Sequence, residues 1–185
     1  MSEMLKGFRP VRMDEDDNVY IIAYGSNLSE ERIKTRCPDA RVYGTSVIHG
    51  YRMLFKQSMT GAYCTIEQDA NSAVPVVVYR MTLADEARLD RCEGWPKYYR
   101  KQEFFLPVRG MNGKKHKCRS SCIAYIMREH RILGEPDPDY FSILEKGYDR
   151  WGFDHRVLYR ALQDSIGTEA ALDWLTDYNS EEKRT

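Results

Sequence analysis

The sequence has no apolar stretch long enough to cross a bilayer: its longest runs, such as Val74 to Tyr79, end after a few residues, so no membrane-spanning helix is expected. It has no net charge, because 28 basic residues balance 28 acidic ones, and no global field draws it to nucleic acid or an anionic membrane. Cysteine is sparse and odd in number. The five, Cys37, Cys64, Cys92, Cys118 and Cys122, are scattered as reduced, buried thiols of a cytosolic protein would be, not paired as a disulfide framework. Cys118-x3-Cys122, near His116 and His130, lacks the spacing of a zinc finger or ribbon, so no metal is expected there. There is no Gly-x-Ser-x-Gly elbow, no phosphate-binding loop and no dinucleotide fingerprint, and Cys92 has no identifiable histidine partner. The first 18 residues lack an apolar core of signal-peptide length and read as a flexible leader of a cytoplasmic protein. They precede one domain over 19–167 and a helical tail over 168–185.

At 185 residues the chain can bury a sizeable core without metals or disulfides. Thirteen tyrosines and a 12% aromatic share suit a β-rich core or a pocket. The organising stretch is Val19-Tyr20-Ile21-Ile22-Ala23-Tyr24-Gly25-Ser26-Asn27-Leu28. Five of its first six residues are β-branched or aromatic, with no polar alternation, which predicts a strand covered on both faces. Gly25 then permits a turn with positive φ and close approach of a ligand, while Ser26 and Asn27 can bond to local backbone. Successive N–H groups in such a turn make a cup for an anion or a developing oxyanion. The alternative is an ordinary strand-to-helix connection.

Ser29 is placed to cap a short helix with Glu30 and Glu31 in its first turn, ending before Cys37-Pro38. Residues 40–55, punctuated by Gly44 and Gly50, read as one long bent strand or two strands joined by a bulge. Strands follow over 62–66 and 74–81, with Glu67 to Ser72 as a hairpin loop and Pro75 at a strand start or an edge. Thr82 with Asp85 has the capping-box spacing and predicts a helix to about Cys92, with Leu83, Ala87 and Leu89 inward. Tyr98 to Val108 and Cys118 to Met127 read as a β pair around the basic turn Asn112 to Lys115. After Pro136 and Pro138 the spacing turns helical: Tyr140, Ile143, Leu144 and Tyr148, then Val157, Leu158, Ala161 and Leu162, then a final short helix around Leu172, Trp174 and Leu175.

Glu93 stands at the end of the second helix, stopped by Gly94 and Pro96. A carboxylate there gains nothing from the helix dipole, which favours cations at that end. It is either a solvated helix-end residue or, flanked by Trp95, Pro96 and Tyr98, a partly desolvated acid–base group with a raised pKa.

Tyr24-Gly25-Ser26-Asn27-Leu28, Gly50-Tyr51-Arg52, Val77-Val78-Tyr79 and Leu89-Asp90-x-Cys92-Glu93-Gly94-x-Pro96-x-Tyr98-Tyr99-Arg100 occur in the order typical of the γ-glutamylcyclotransferase (AIG2-like) family, which the chain resembles over roughly Tyr20 to Leu162. Tyr140 in Asp139-Tyr140-x7-Gly147 resembles that family's substrate-contacting tyrosine. The resemblance implies an α+β fold, a small mixed β-barrel with flanking helices and a helical C-terminal segment. It implies cyclisation of a γ-glutamyl substrate to 5-oxoproline with release of an amino acid or amine, without cofactor or metal. Glu93 would be the catalytic acid–base, and Ile22, Ala23, Tyr24, Gly25, Ser26, Asn27, Leu28 and Tyr140 would bind substrate. The partner is a small molecule, not nucleic acid or membrane; monomer and homodimer both remain open. Cys92 stands where the family often has Gln or Tyr, a position that need not face substrate. The alternatives are a γ-glutamylamine cyclotransferase and a binding module without turnover.

Overall fold

The computed structural model describes residues 14, 16–113, 115–117, 121–128 and 130–182. Most of the expected leader, together with Lys114 of the basic turn and Cys118, lies outside the described residues. The elements run β1 (Asn18–Ala23), a single 3₁₀ turn (Ser26–Leu28), α1 (Glu30–Arg36), β2 (Arg41–Gln57), β3 (Ala62–Thr82), α2 (Leu83–Glu93), β4 (Tyr99–Phe104), β5 (Pro107–Arg109), β6 (Lys115–Lys117), β7 (Cys122–Met127), α3 (Pro138–Trp151), α4 (His155–Ile166) and α5 (Thr168–Glu182). Among the described residues no helix is long and apolar enough to cross a membrane.

The strands form one mixed sheet in the order β4-β7-β1-β3-β2-β5-β6. β1 lies in its middle, antiparallel to β3 and parallel to β7, with Tyr20 through Ala23 buried, which is why it shows no polar alternation. The sheet curls without closing. No ladder joins β4 to β2 among the described residues, so it is not a closed barrel. Yet Gln102 on β4 donates to the Tyr51 hydroxyl on β2 at 2.5 Å, and the Tyr51 and Phe104 rings meet edge to face at 5.3 Å. The chain itself crosses this gap through Phe105 and Leu106 to reach β5, which pairs with β2 at Thr45 and Arg109.

β2 is one long strand with irregularities at the two expected glycines, where the register shifts between Val42 and Gly44 and between His49 and Tyr51. Gly44 permits the approach of β5: a Cβ there would lie 2.2 Å from the Arg109 carbonyl oxygen. The expected hairpin at Glu67 to Ser72 is not formed. β3 runs straight on beside β2, with His49 opposite Ala73 and Tyr51 opposite Gln68, so residues 69–72 bulge out opposite Gly50. Their polarity serves the bulge itself: Asp69 accepts from Ser72 Oγ at 2.6 Å and from the Asn71 amide at 3.2 Å. The real hairpin turn is at 58–61, where the Ser58 amide donates to the Gly61 carbonyl at 2.8 Å.

β4 and β7 pair as expected, from Tyr99 opposite Met127 to Phe104 opposite Cys122. α3, α4 and α5 follow in chain order, and the last is longer than expected. Trp174 and Tyr178 of α5 bury their rings against Phe141 of α3, at centroid distances of 4.9 and 5.5 Å. Ser165 on α4 accepts the buried Phe55 amide of β2 at 2.8 Å and so ties the helical layer to the sheet.

Candidate active site

β1 ends at Ala23 and delivers Tyr24 and Gly25 to the 3₁₀ turn. Gly25 has φ −110°, so the expected positive φ is absent; its lack of a side chain matters because the Tyr140 hydroxyl and Cys64 Cβ stand 3.5 and 3.6 Å from where a Cβ would be. The Leu28 and Ser29 amides donate back to the Gly25 and Ser26 carbonyls at 2.9 and 3.2 Å. Among the described residues, the Gly25, Ser26 and Asn27 amides meet no protein acceptor, so the cup comprises these three. Leu28 is fully buried beneath the turn and does not line the cavity, contrary to expectation. Ser29 caps α1 as expected, its Oγ accepting from the Arg32 amide at 3.3 Å.

α2 brings the carboxylate. Thr82 Oγ1 accepts the Asp85 amide at 3.1 Å, but Asp85 does not complete a capping box; it turns inward and accepts the Asp39 amide at 3.0 Å. Leu89 is buried as expected, but Leu83 and Ala87 are exposed and Asp85 and Glu86 take the inner face instead. The acidic inner face is satisfied by dedicated partners. Lys101 Nζ lies 2.6 Å from Glu86 and 2.7 Å from Asp90, and the Tyr125 hydroxyl donates to Asp90 at 2.6 Å. Glu93, the last residue on that face, is followed by Gly94 in the left-handed region at φ 64°.

Glu93 Oε1 accepts from Asn27 Nδ2 at 3.1 Å, and Arg36 Nη1 lies 3.7 Å from the same oxygen. Arg36 Nη1 also donates to Asn27 Oδ1 at 2.8 Å. Here the side chain of Asn27 departs from expectation, bonding to Glu93 and Arg36 and not to nearby backbone. Burial raises the Glu93 carboxyl above its ordinary value, with Arg36 and the Asn27 hydrogen bond pulling the other way. Of the three neighbours expected to flank it, Tyr98 lies on the cavity wall and Trp95 and Pro96 lie off it.

These groups face a cavity of about 410 Å³. Ile22, Ala23, Tyr24, Gly25, Ser26, Asn27, Glu93 and Tyr140 all line it; of the residues expected from sequence, only Leu28 does not. Tyr63, Tyr98, Tyr99 and Tyr125 also form its wall; Tyr98 and Tyr99 belong to the motif around Glu93, whereas Tyr63 and Tyr125 carry no sequence signal beyond the abundance of tyrosine. Burial raises the phenols of Tyr24, Tyr99, Tyr125 and Tyr140, so they are neutral around pH 7. The Tyr24 hydroxyl donates to the Tyr125 carbonyl, and that of Tyr140 accepts the Cys64 amide at 3.0 Å. Cys92 is exposed and on the cavity wall, against the expectation of a buried thiol. Arg32, Arg36 and Arg91 make the wall predominantly cationic, with Glu93 as the opposing carboxylate. Among the described residues no group of three or more His, Cys, Asp or Glu could hold a metal ion.

A family model described as gamma-glutamyl cyclotransferase, AIG2-like, matches residues 21–150, from β1 into the end of α3. The chain is 28% identical over 152 residues to γ-glutamylcyclotransferase of Bos taurus and 28% identical over 148 residues to that of Homo sapiens, each match covering 76% of this chain and 76% of the relative. A solved structure named gamma-glutamyl cyclotransferase superimposes with a TM-score of 0.65 at 25% identity, over 86% of this chain and 99% of that one. The matched stretch contains both the amide cup and Glu93, and the chain belongs to the γ-glutamyl cyclotransferase, AIG2-like, family.

Proposed function

We propose that the protein is a γ-glutamylcyclotransferase that closes the glutamyl moiety of a γ-glutamyl compound into 5-oxoproline and releases an amino acid or amine. The observation that carries this reading is the hydrogen bond between Asn27 of the amide cup and Glu93, which brings a desolvated carboxylate to the edge of the cup in one cavity. In such a substrate the attacking amine and the carbonyl belong to one molecule, so proximity is built in and the protein has to fold the substrate and move protons. Glu93 takes a proton from the α-ammonium, and the freed amine attacks the γ-carbonyl. The Gly25, Ser26 and Asn27 amides hold the substrate carboxylate or the developing oxyanion, and Tyr24 and Tyr140 form the wall. As the C–N bond breaks, Glu93 returns its proton to the departing nitrogen. Glu93 then takes the second proton of the attacking nitrogen and passes it to the released amine, so two protons leave one nitrogen, two reach the other, and no electrons change hands.

The excess of arginine on the wall suits a substrate with carboxylates to spare, and so favours a γ-glutamyl amino acid over a γ-glutamyl alkylamine. The purified protein is to be incubated with a panel of both kinds, with 5-oxoproline as the readout. Product from the amino-acid members, formed faster than from the amines, is expected. No product from any member would overturn the enzymatic reading and leave a binding module.

A further inference from the structure

Arg36, on the last turn of α1, is a cation where the helix C-terminus favours one. Its geometry gives it a second task. Its Nη1 donates to Asn27 Oδ1 at 2.8 Å, and this fixes which end of the amide faces which neighbour: the carbonyl end is taken, so Nδ2 is presented to Glu93 at 3.1 Å. The same guanidinium nitrogen stands 3.7 Å from Glu93 Oε1, and the side chains of Arg36 and Glu93 are 27% and 16% exposed. Water therefore screens this pair only in part.

We propose that Arg36 is a positioning residue, acting through Asn27 to aim the Glu93 carboxylate at the cup and to keep it ionised and ready to accept a proton. This rests on reading Glu93 as the base. The other groups around Glu93 do not supply the same effect. Tyr24 on β1, Cys64 on β3, Tyr99 on β4, Tyr125 on β7 and Tyr140 on α3 are neutral around pH 7, burial having raised each. Arg32 and Arg91 share the cavity wall, but Arg36 is the cation in ion-pair range of Glu93 among the described residues. Asp90 and Glu86, one and two turns back on α2, are held by Lys101.

The test titrates Glu93 directly, by the side-chain carboxyl signal in protein labelled with 13C-glutamate, assigned by its loss in Glu93→Gln. In Arg36→Gln the Glu93 midpoint is expected to rise by at least about one pH unit, the size typical of losing an opposite charge at this range. Arg36→Lys keeps a cation and protects the fold, and its midpoint is expected between those of the parent and Arg36→Gln. The acid limb of kcat/KM should move with the midpoint and activity should recover at high pH. An unmoved midpoint in whichever variant folds overturns the proposal, as does a fall in kcat/KM by the same factor at every pH, which would make Arg36 a substrate contact. Because the titration needs no substrate, absence of turnover in the parent would remove the cyclotransferase reading while leaving the result on Arg36 intact.

Discussion

Glu93 is held between two opposing effects: burial penalises its charge, while Arg36 and Asn27 favour it, and burial prevails. A carboxyl whose folded value lies above its unfolded one favours the folded state when protonated, and this contribution is lost as pH rises from about 4.5 through the folded value. At pH 7, well above the unfolded value, Glu93 therefore weakens the fold that presents it. Glu93→Gln stays neutral and can still accept from Asn27, so it should melt at a higher temperature than the parent at pH 7. The gap should narrow as pH falls toward 4.5. Melting curves at a series of pH values check this, and parallel pH dependence in the two proteins would contradict a raised carboxyl.

At the scale of elements, the site depends on how α2 ends. Gly94 and Gly152 both have φ +64°, but a Cβ on Gly94 would lie 2.5 Å from Tyr98 Cδ2 whereas one on Gly152 meets nothing within 4 Å. A left-handed non-glycine residue costs about 1–3 kcal/mol, and at this chain length each kcal/mol moves Tm by roughly 2–4 °C. Gly152→Ala is expected to show that strain alone. Gly94→Ala adds the overlap with Tyr98 and should melt lower than Gly152→Ala; equal melting temperatures would show that the Tyr98 ring gives way freely. Much of this element was legible in the sequence, because caps and stops are local: Thr82 begins the helix and Gly94 ends it where the residues indicate. Which way the helix faces was not legible. Leu83 and Ala87 suggested an apolar inner face, yet Asp85, Glu86, Asp90 and Glu93 turn inward because Asp39, Lys101, Tyr125 and Asn27, all distant in the chain or on other elements, satisfy them. The bulge at 69–72 misled for a related reason, since a polar cluster between two apolar runs reads as a hairpin unless the partner strand is known to continue past it.

Across the whole molecule, the site is made where segments far apart in sequence converge. The cup comes from the end of the central strand, the carboxylate from α2 some 66 residues later, and Tyr140 from α3 after the sheet is complete. The strand, its turn and the position of Glu93 could be read from residue type. The Arg36–Asn27–Glu93 chain of contacts and the places of Tyr63 and Tyr125 on the wall could not, because their partners are chosen by the sheet's curl and carry no local signal. The central claim is that this convergence makes Glu93 the proton carrier of a cyclisation. Its most direct test is 5-oxoproline formation by the parent and by Glu93→Gln on the best γ-glutamyl substrate, with folding verified by circular dichroism. The account predicts a native spectrum and turnover reduced by about 10²-fold or more, the scale of losing a general acid–base; a native spectrum with undiminished turnover would contradict it.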